Sequence, residues 1–348
     1  MHILVVKLSS IGDLVHTLPA VAAIRRSLPT AEISWAVETR SAEILRGSPV
    51  IDNLIEIDTR SIRGASLPEI LPEIKRQARV VRARKYDVAI DFQGLLKSAV
   101  IARLSGAKVR WGFAKDELRE SASRFVYTDT VEIPAKTHII RKNIFLAAAA
   151  CHFAFDDSLI EYPISTDDVH AAEAKEVINR VGPDFVILNP AGGWVTKLWH
   201  VEKFGLLADA IMHETGMRSV IVTGPNEADL ARRATFSSKS DAIIPAEPTL
   251  KGFYELARRA RLYVGGDTGP THIAIAAGAP VVALFGPTEW WRNGSLGRND
   301  VVVERSDISC RIDCHRRECS NWICMDSDVD AVMGAVRERL ALQQIAAS

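Results

Sequence analysis

The sequence predicts an α/β protein built as two Rossmann-like domains, and three observations lead there. Apolar runs of strand length alternate with segments whose apolar residues recur at helical spacing, the pattern of a mainly parallel sheet covered on both faces. The alternation runs from residue 2 to residue 113 and restarts at Phe185 after a polar link. With 348 residues the chain is long for one core and comfortable for two. Residues 1–163 are assigned to a first domain and 164–348 to a second.

In the first domain, residues 2–8 (HILVVKL) form the continuous apolar run of a central parallel strand buried on both faces. Ser9-Ser10-Ile11-Gly12-Asp13 then leads into residues 14–28, which have helical spacing, with Pro19 suited to start a helical turn. A strand-to-helix loop lies at the ligand-facing edge of such a sheet, which gives Asp13 a functional address; helix capping is its competing role. Further strands are expected at residues 32–37, 53–57, 87–91 and 109–113. Between residues 60 and 84 basic residues are frequent, and most read as a solvated helix face. Arg60 and Arg63 differ because they follow a strand end. Asp91-Phe92-Gln93-Gly94-Leu95-Leu96-Lys97-Ser98 repeats the strand, glycine, helix pattern and brings Lys97 near the edge that carries Asp13. An ammonium there suits an anionic acceptor.

The polar residues 163–169 and Gly182-Pro183-Asp184 mark the connection between domains. Residues 185–189 are a strand, Pro190-Ala191-Gly192-Gly193 a loop, and Thr196-Lys197-Leu198-Trp199 the approach to a helix. A glycine pair followed by Lys197 suits a diphosphate, with amides on its oxygens and one mobile cation. The strand at 218–223 ends in Gly224-Pro225-Asn226-Glu227. Residues 262–287 (LYVGGDTGPTHIAIAAGAPVVALFGP) read as strand, tight loop, helix and strand, and the loop as a phosphate cradle. Thr268 and Thr271 offer hydroxyls, Gly266 and Gly269 allow close approach, and Pro270 suits a first helical turn, which also holds His272. The plain alternative is that Asp267 and Thr268 only cap the helix.

Several classes are disfavoured. There is no GxxxxGK[ST] motif, and no GxGxxG follows the first strand, which counts against P-loop enzymes and dinucleotide oxidoreductases. Acids and bases balance at 43 each, so overall charge gives no support to a nucleic-acid partner. The first apolar run ends at Lys7, too short for a signal peptide or a membrane span, and the chain reads as cytosolic. Cys310, Cys314, Cys319 and Cys324 cluster in CRIDCHRRECSNWIC, with His315 in reserve. A structural metal site, disulfides and free thiols all remain open for them. Cys151 reads as packed core. After Asp326-Ser327-Asp328, apolar residues at helical spacing make residues 327–344 an amphipathic helix.

Two such units suggest the GT-B architecture, two Rossmann-like domains facing across a cleft. The chain resembles the ADP-heptose:lipopolysaccharide heptosyltransferases in ILVVKLSSIGDLVHTLPA, DFQGLLKSA, TKLWHVEKF, TGPNE and GGDTGPTHIAIAAGAPVVALFGPTEW. The resemblance implies an inverting transfer of heptose from ADP-heptose to the Kdo/heptose inner core, with no metal cofactor required for catalysis. By this likeness Asp13 is the general base. Lys197 and the amides at Thr268 and Gly269 hold the leaving ADP. Glu227 matches a ribose-binding position, Pro248 lies near the adenine, and Asp267 and His272 border the donor sugar and diphosphate. As an anion, Asp267 is expected to meet sugar hydroxyls or loop amides. Gly192 and Gly193 stand where family members can carry hydroxylated residues, so backbone replaces side-chain contacts. Arg60, Arg63, Lys97 and Arg119 are candidates for an anionic Kdo-lipid A acceptor. The final helix is expected to cross back to the first domain, and the enzyme to sit at the cytoplasmic face of the inner membrane. Rival readings are a relative using another nucleotide sugar or a protein acceptor, a UDP-sugar epimerase, and a silent ADP-heptose-binding protein.

Overall fold

The computed structural model describes residues 1–58, 67–312 and 314–347. The chain divides into two compact units, Met1–Ser165 and Thr166–Ser348. The predicted α/β class is the observed one.

The first unit holds β1 (His2–Val6), β2 (Glu32–Glu38), β3 (Asn53–Ile57), β4 (Val88–Asp91), β5 (Val109–Phe113) and β6 (Asp129–Val131). They form one parallel sheet in the order β3-β2-β1-β4-β5-β6. Helices α1 (Ile11–Ser27), α2 (Leu67–Arg82), α3 (Leu96–Leu104) and α4 (Ile139–Cys151) connect and cover it. β1 is central, with Val6 opposite Ala36 on one side and Asp91 on the other. Both of its faces are covered, so Ile3 to Val6 are fully buried, which is why the run is apolar without alternation.

α1 begins earlier than the periodicity suggests, at Ile11, so Asp13 stands in its first turn rather than in the preceding loop. Pro19 lies inside the helix and does not start a turn. Proline removes a donor and crowds the preceding turn. Beside it α4 packs on α1, where the Asn143 side-chain amide donates to the His16 carbonyl at 3.0 Å and to Thr17 Oγ1 at 3.2 Å.

The second unit holds β7 (Phe185–Asn189), β8 (Arg218–Val222), β9 (Ile243–Ala246), β10 (Leu262–Gly266), β11 (Val281–Phe285) and β12 (Val301–Glu304). The order is β12-β11-β10-β7-β8-β9, again all parallel. Its helices are α5 (Asp168–Val181), α6 (Val201–Thr215), α7 (Ala228–Ser237), α8 (Leu250–Ala257), α9 (Gly269–Ala276), α10 (Trp290–Asn293) and α11 (Val329–Ala347). Val332, Met333 and Val336 of α11 join the core of this unit with Trp199, Phe204 and Leu284. Arg337 fastens α11 to Glu214 at 2.6 Å.

Numbered within its own unit, each sheet reads 3-2-1-4-5-6, the doubly wound order. The chain reverses direction across the sheet between β1 and β4, and between β7 and β10. Ligands of such folds bind beyond the strand ends at these switch points. β6, β9 and β12 escaped the sequence reading. They are edge strands of three or four residues, paired on one side only, and Pro245 within β9 is tolerated for that reason.

Candidate active site

At the first switch point, Ser10 is the N-cap of α1 and Asp13 its third residue. Asp13 Oδ2 accepts from the Ser10 N–H at 2.9 Å and from Ser10 Oγ at 3.0 Å, the closing half of a capping box. Oδ1 faces the Lys7 ammonium at 3.8 Å, and the side chain keeps 35% of its surface exposed. Asp13 therefore caps the helix with one oxygen and presents the other. Burial pushes its carboxyl pKa up, but the Lys7 charge, the Ser10 donors and the more distant Arg119 outweigh this and hold it below the usual aspartate range. The group is ionised at neutral pH, the form that accepts a proton.

The loop carrying Asp13 is clamped from the end of β4. Gln93 Oε1 accepts from the Leu8 and Ser9 amides at 2.8 and 3.2 Å, while its Nε2 donates to the Ser9 carbonyl at 2.7 Å. Lys7 is buried and donates to the Phe92 carbonyl at 2.8 Å. Below them, buried Asp91 accepts from Tyr127 Oη at 2.7 Å, Ser98 Oγ at 2.8 Å and the Gln93 amide at 2.8 Å. Burial raises the Asp91 pKa, and these donors offset only part of it. The DFQGLLK stretch thus acts as a brace for the Asp13 loop, a role the sequence reading missed; a polar side chain at a switch point was its only signal.

The acceptor candidates fare differently. Lys97 is paired with Glu38 at 2.9 Å, and Glu38 also binds Arg40 at 2.8 Å. Arg119 is exposed and makes no hydrogen bond or ion pair among the described residues, while its charge reaches Asp13. Arg60 and Arg63 lie outside the described residues.

At the second switch point Asp267 follows β10, with only 3% of its side chain exposed. Its Oδ2 accepts from Lys197 Nζ at 2.5 Å, Thr288 Oγ1 at 2.7 Å and Asn293 Nδ2 at 3.3 Å. Its Oδ1 meets His272 Nε2 at 3.0 Å. These side chains, not loop amides, are the partners of Asp267 in the structure. Burial alone would raise the Asp267 pKa; the hydrogen bond from His272 and the Lys197 charge reverse the sign and hold it far below the usual range.

Close approach of the two loops accounts for two glycines, through backbone at Gly266 and through side chains at Gly192. A Cβ on Gly266 would stand 2.6 Å from the Lys197 carbonyl, and one on Gly192 would stand 2.6 Å from Thr268 Cγ2. A Cβ on Gly193 would meet nothing within 4 Å, so that backbone faces open space. Thr271 is not the free hydroxyl expected of it: it donates to the Gly266 carbonyl and lies 3.0 Å from Tyr263 Oη. Thr268 is the N-cap of α9 with no side-chain capping bond; its Oγ1 is buried, makes no hydrogen bond of normal geometry, and has the Tyr263 hydroxyl for a neighbour. Leaving a buried hydroxyl unpaired costs about 1–3 kcal/mol. A ligand oxygen at the start of α9 would satisfy it.

Glu227 is the N-cap of α7, and its Oε2 accepts from the Gly224 amide at 2.8 Å. Pro248 is half-buried just before the Thr249 cap of α8. A groove of about 580 Å³ opens past the ends of β8 and β9, lined by Thr223, Ala246, Glu247 and the α7 residues Ala228, Ala231 and Phe236.

None of the four clustered cysteines is joined in a disulfide in the structure. Among the described residues no group of three or more His, Cys, Asp or Glu side chains is placed to hold a metal ion. Burial and the neighbouring thiols push the Cys324 pKa up. Their segment is tied to the loop that carries Lys197 and to the chain just after β11. The Arg316 carbonyl accepts from Thr196 Oγ1 at 2.7 Å, the His315 amide donates to Pro287 O at 2.9 Å, and Trp322 Nε1 donates to Thr196 O at 3.1 Å. Cys151 is buried in α4, and burial pushes its thiol up to about 12.

Two doubly wound parallel sheets, each with ionisable side chains at its switch point, are the architecture of GT-B glycosyltransferases. The profile of glycosyltransferase family 9 (heptosyltransferase) matches residues 74–322, and the chain belongs to that family. It is 31% identical over 324 residues to lipopolysaccharide heptosyltransferase 1 of Pseudomonas aeruginosa, covering 92% of this chain and 88% of that one. The enzyme of the same name from Escherichia coli K12 is 28% identical over 309 residues, 87% of this chain and 93% of its own. Among solved structures, Escherichia coli heptosyltransferase WaaC with ADP superposes with a TM-score of 0.78 at 25% identity, covering 97% of this chain and 100% of that one. A family 9 glycosyltransferase from Veillonella parvula shares the fold, with a TM-score of 0.82 at 19% identity over 98% of this chain and 97% of that one.

Proposed function

We propose that this enzyme transfers heptose from ADP-heptose to the inner core of lipopolysaccharide, with inversion at the anomeric carbon and Asp13 as general base. The observation that carries the donor half is the buried Thr268 hydroxyl at the start of α9, which makes no hydrogen bond of normal geometry and has only the Tyr263 hydroxyl recorded beside it, with Lys197 anchored nearby through Asp267. An incompletely satisfied hydroxyl, helix amides and an ammonium together suit a phosphate. The names and ligand of the relatives point the same way, being lipopolysaccharide heptosyltransferases and a heptosyltransferase bound to ADP.

In the proposed reaction the ionised Asp13 takes the proton of an acceptor hydroxyl while that oxygen bonds to the anomeric carbon. The bond from that carbon to the diphosphate oxygen breaks, and its electron pair leaves with ADP. Lys197, Thr268 Oγ1 and the first amides of α9 hold the developing charge. Glu227 keeps one carboxylate oxygen on the Gly224 amide and offers the other to the ribose hydroxyls. On the acceptor side Arg119 is the better cation for a Kdo carboxylate or a lipid phosphate, because Lys97 is already neutralised by Glu38.

The test is transfer from ADP-heptose to Kdo2-lipid A and to the singly heptosylated core, with wild type beside Asp13→Asn. Wild type is expected to modify one acceptor and the variant to lose at least ~100-fold in kcat. Donor binding without transfer to either acceptor would remove the acceptor assignment.

A further inference from the structure

We propose that Arg317, carried by the cysteine-bearing segment, is a second cation for the donor diphosphate beside Lys197; this rests on the donor reading above. The ammonium of Lys197 is 2.5 Å from Asp267, so the pair brings little net charge to an anionic ligand. A further cation near the diphosphate would stabilise the charge that develops as it leaves.

The structure places a second cation, from another segment, against the same loop. Trp194 lies between Gly193 and Lys197, and its ring carries the Lys197 ammonium 4.4 Å from the centroid and the Arg317 guanidinium carbon 4.9 Å from it. Stacking on the indole holds the guanidinium in place without using its N–H groups. Arg317 is exposed and makes no hydrogen bond or ion pair among the described residues, so its planar fork is open to a phosphate. Its backbone is fixed next door, where the Arg316 carbonyl accepts from Thr196 Oγ1 and the His315 amide donates to Pro287 O. The neighbouring backbone at Gly193 faces open space, which leaves room for the ligand. The bonds that tie the segment to Thr196 and Pro287 are then the means of delivering this arginine.

Binding of ADP and of adenosine to wild type, Arg317→Ala and Arg317→Lys, by calorimetry, tests this. Arg317→Ala is expected to weaken ADP by about 10- to 100-fold, the effect of charge-assisted hydrogen bonds, and to leave adenosine unchanged. Arg317→Lys is expected to recover part of the loss, and the KM for ADP-heptose to rise in Arg317→Ala more than kcat falls. ADP binding within twofold of wild type in a folded Arg317→Ala protein overturns the inference alone. Equal losses for ADP and adenosine overturn it too, since they assign Arg317 to packing on Trp194. Failure of wild type to bind ADP at all overturns the donor reading and this inference with it.

Discussion

At the scale of single residues, Thr268 separates a binding role from a structural one. Its hydroxyl is buried beside that of Tyr263 and makes no hydrogen bond of normal geometry, so the free protein bears part of the cost of desolvating it. Thr268→Val keeps the shape and removes that cost. Thermal unfolding is expected to show the variant as stable as wild type or more so by up to ~1–3 kcal/mol, while calorimetry shows weaker ADP binding. A purely structural threonine would lose stability instead. Asp13 allows a second residue-scale expectation, from the sign of its shift. Its folded pKa is depressed, so it loses its proton below the ordinary aspartate value of about 3.9 and remains ionised above it. A profile of kcat/KM against pH should therefore show no limb from this base between about pH 5 and 8. Lys7→Met removes the largest opposing charge and should move the acid limb upward; an unmoved limb would show that Lys7 does not set the base.

At the scale of elements, each candidate residue depends on an element distant in sequence. The Asp13 loop is held by Gln93 at the end of β4, through three hydrogen bonds to residues 8 and 9. Gln93→Ala releases them without touching the second unit. Steady-state kinetics should show kcat lowered by about 10- to 100-fold, the loss that follows small misplacement of a catalytic group, while ADP affinity stays at the wild-type value. Loss of ADP affinity in the same variant would refute the assignment of the brace to the proton-transfer half. In the second unit the Gly192 loop and the Thr268 loop touch so closely that a Cβ at residue 192 would have to displace the Thr268 or Leu198 side chain, whereas residue 193 has room. The glycine pair therefore holds one packing requirement and one open face, not two phosphate contacts of equal kind.

At the scale of the whole molecule, the same strand order occurs in both units, each placing its candidate chemistry at its own switch point. Attachment to an anionic membrane surface is a proposal at this scale. Among the described residues no helix is long and apolar enough to cross a membrane. Lys75, Arg76, Arg79 and Arg82 of α2 are exposed on a chain whose overall charge is balanced. Local charge of this kind gives peripheral binding that depends on lipid charge and salt. Flotation with liposomes is expected to show a bound fraction that grows with anionic lipid and falls with added salt. Binding indifferent to both would remove the proposal.

The sequence by itself determined the α/β class, the central strands and the candidate loops, because a strand buried on both faces must be apolar throughout and a backbone contact as close as that at Gly266 admits only glycine. β1, β7, β10 and β11 are legible for this reason, and β6, β9 and β12 are not, since edge strands carry no such demand. Tertiary structure alone decided which side chains meet. It paired Lys97 with Glu38, turned Thr271 onto the Gly266 carbonyl, and surrounded Asp267 with donors from residues 197, 272, 288 and 293. Apolar periodicity records burial along a local stretch. Partners across a switch point are set by strand order, which brings residues seventy positions apart, such as Lys197 and Asp267, to one edge of the sheet.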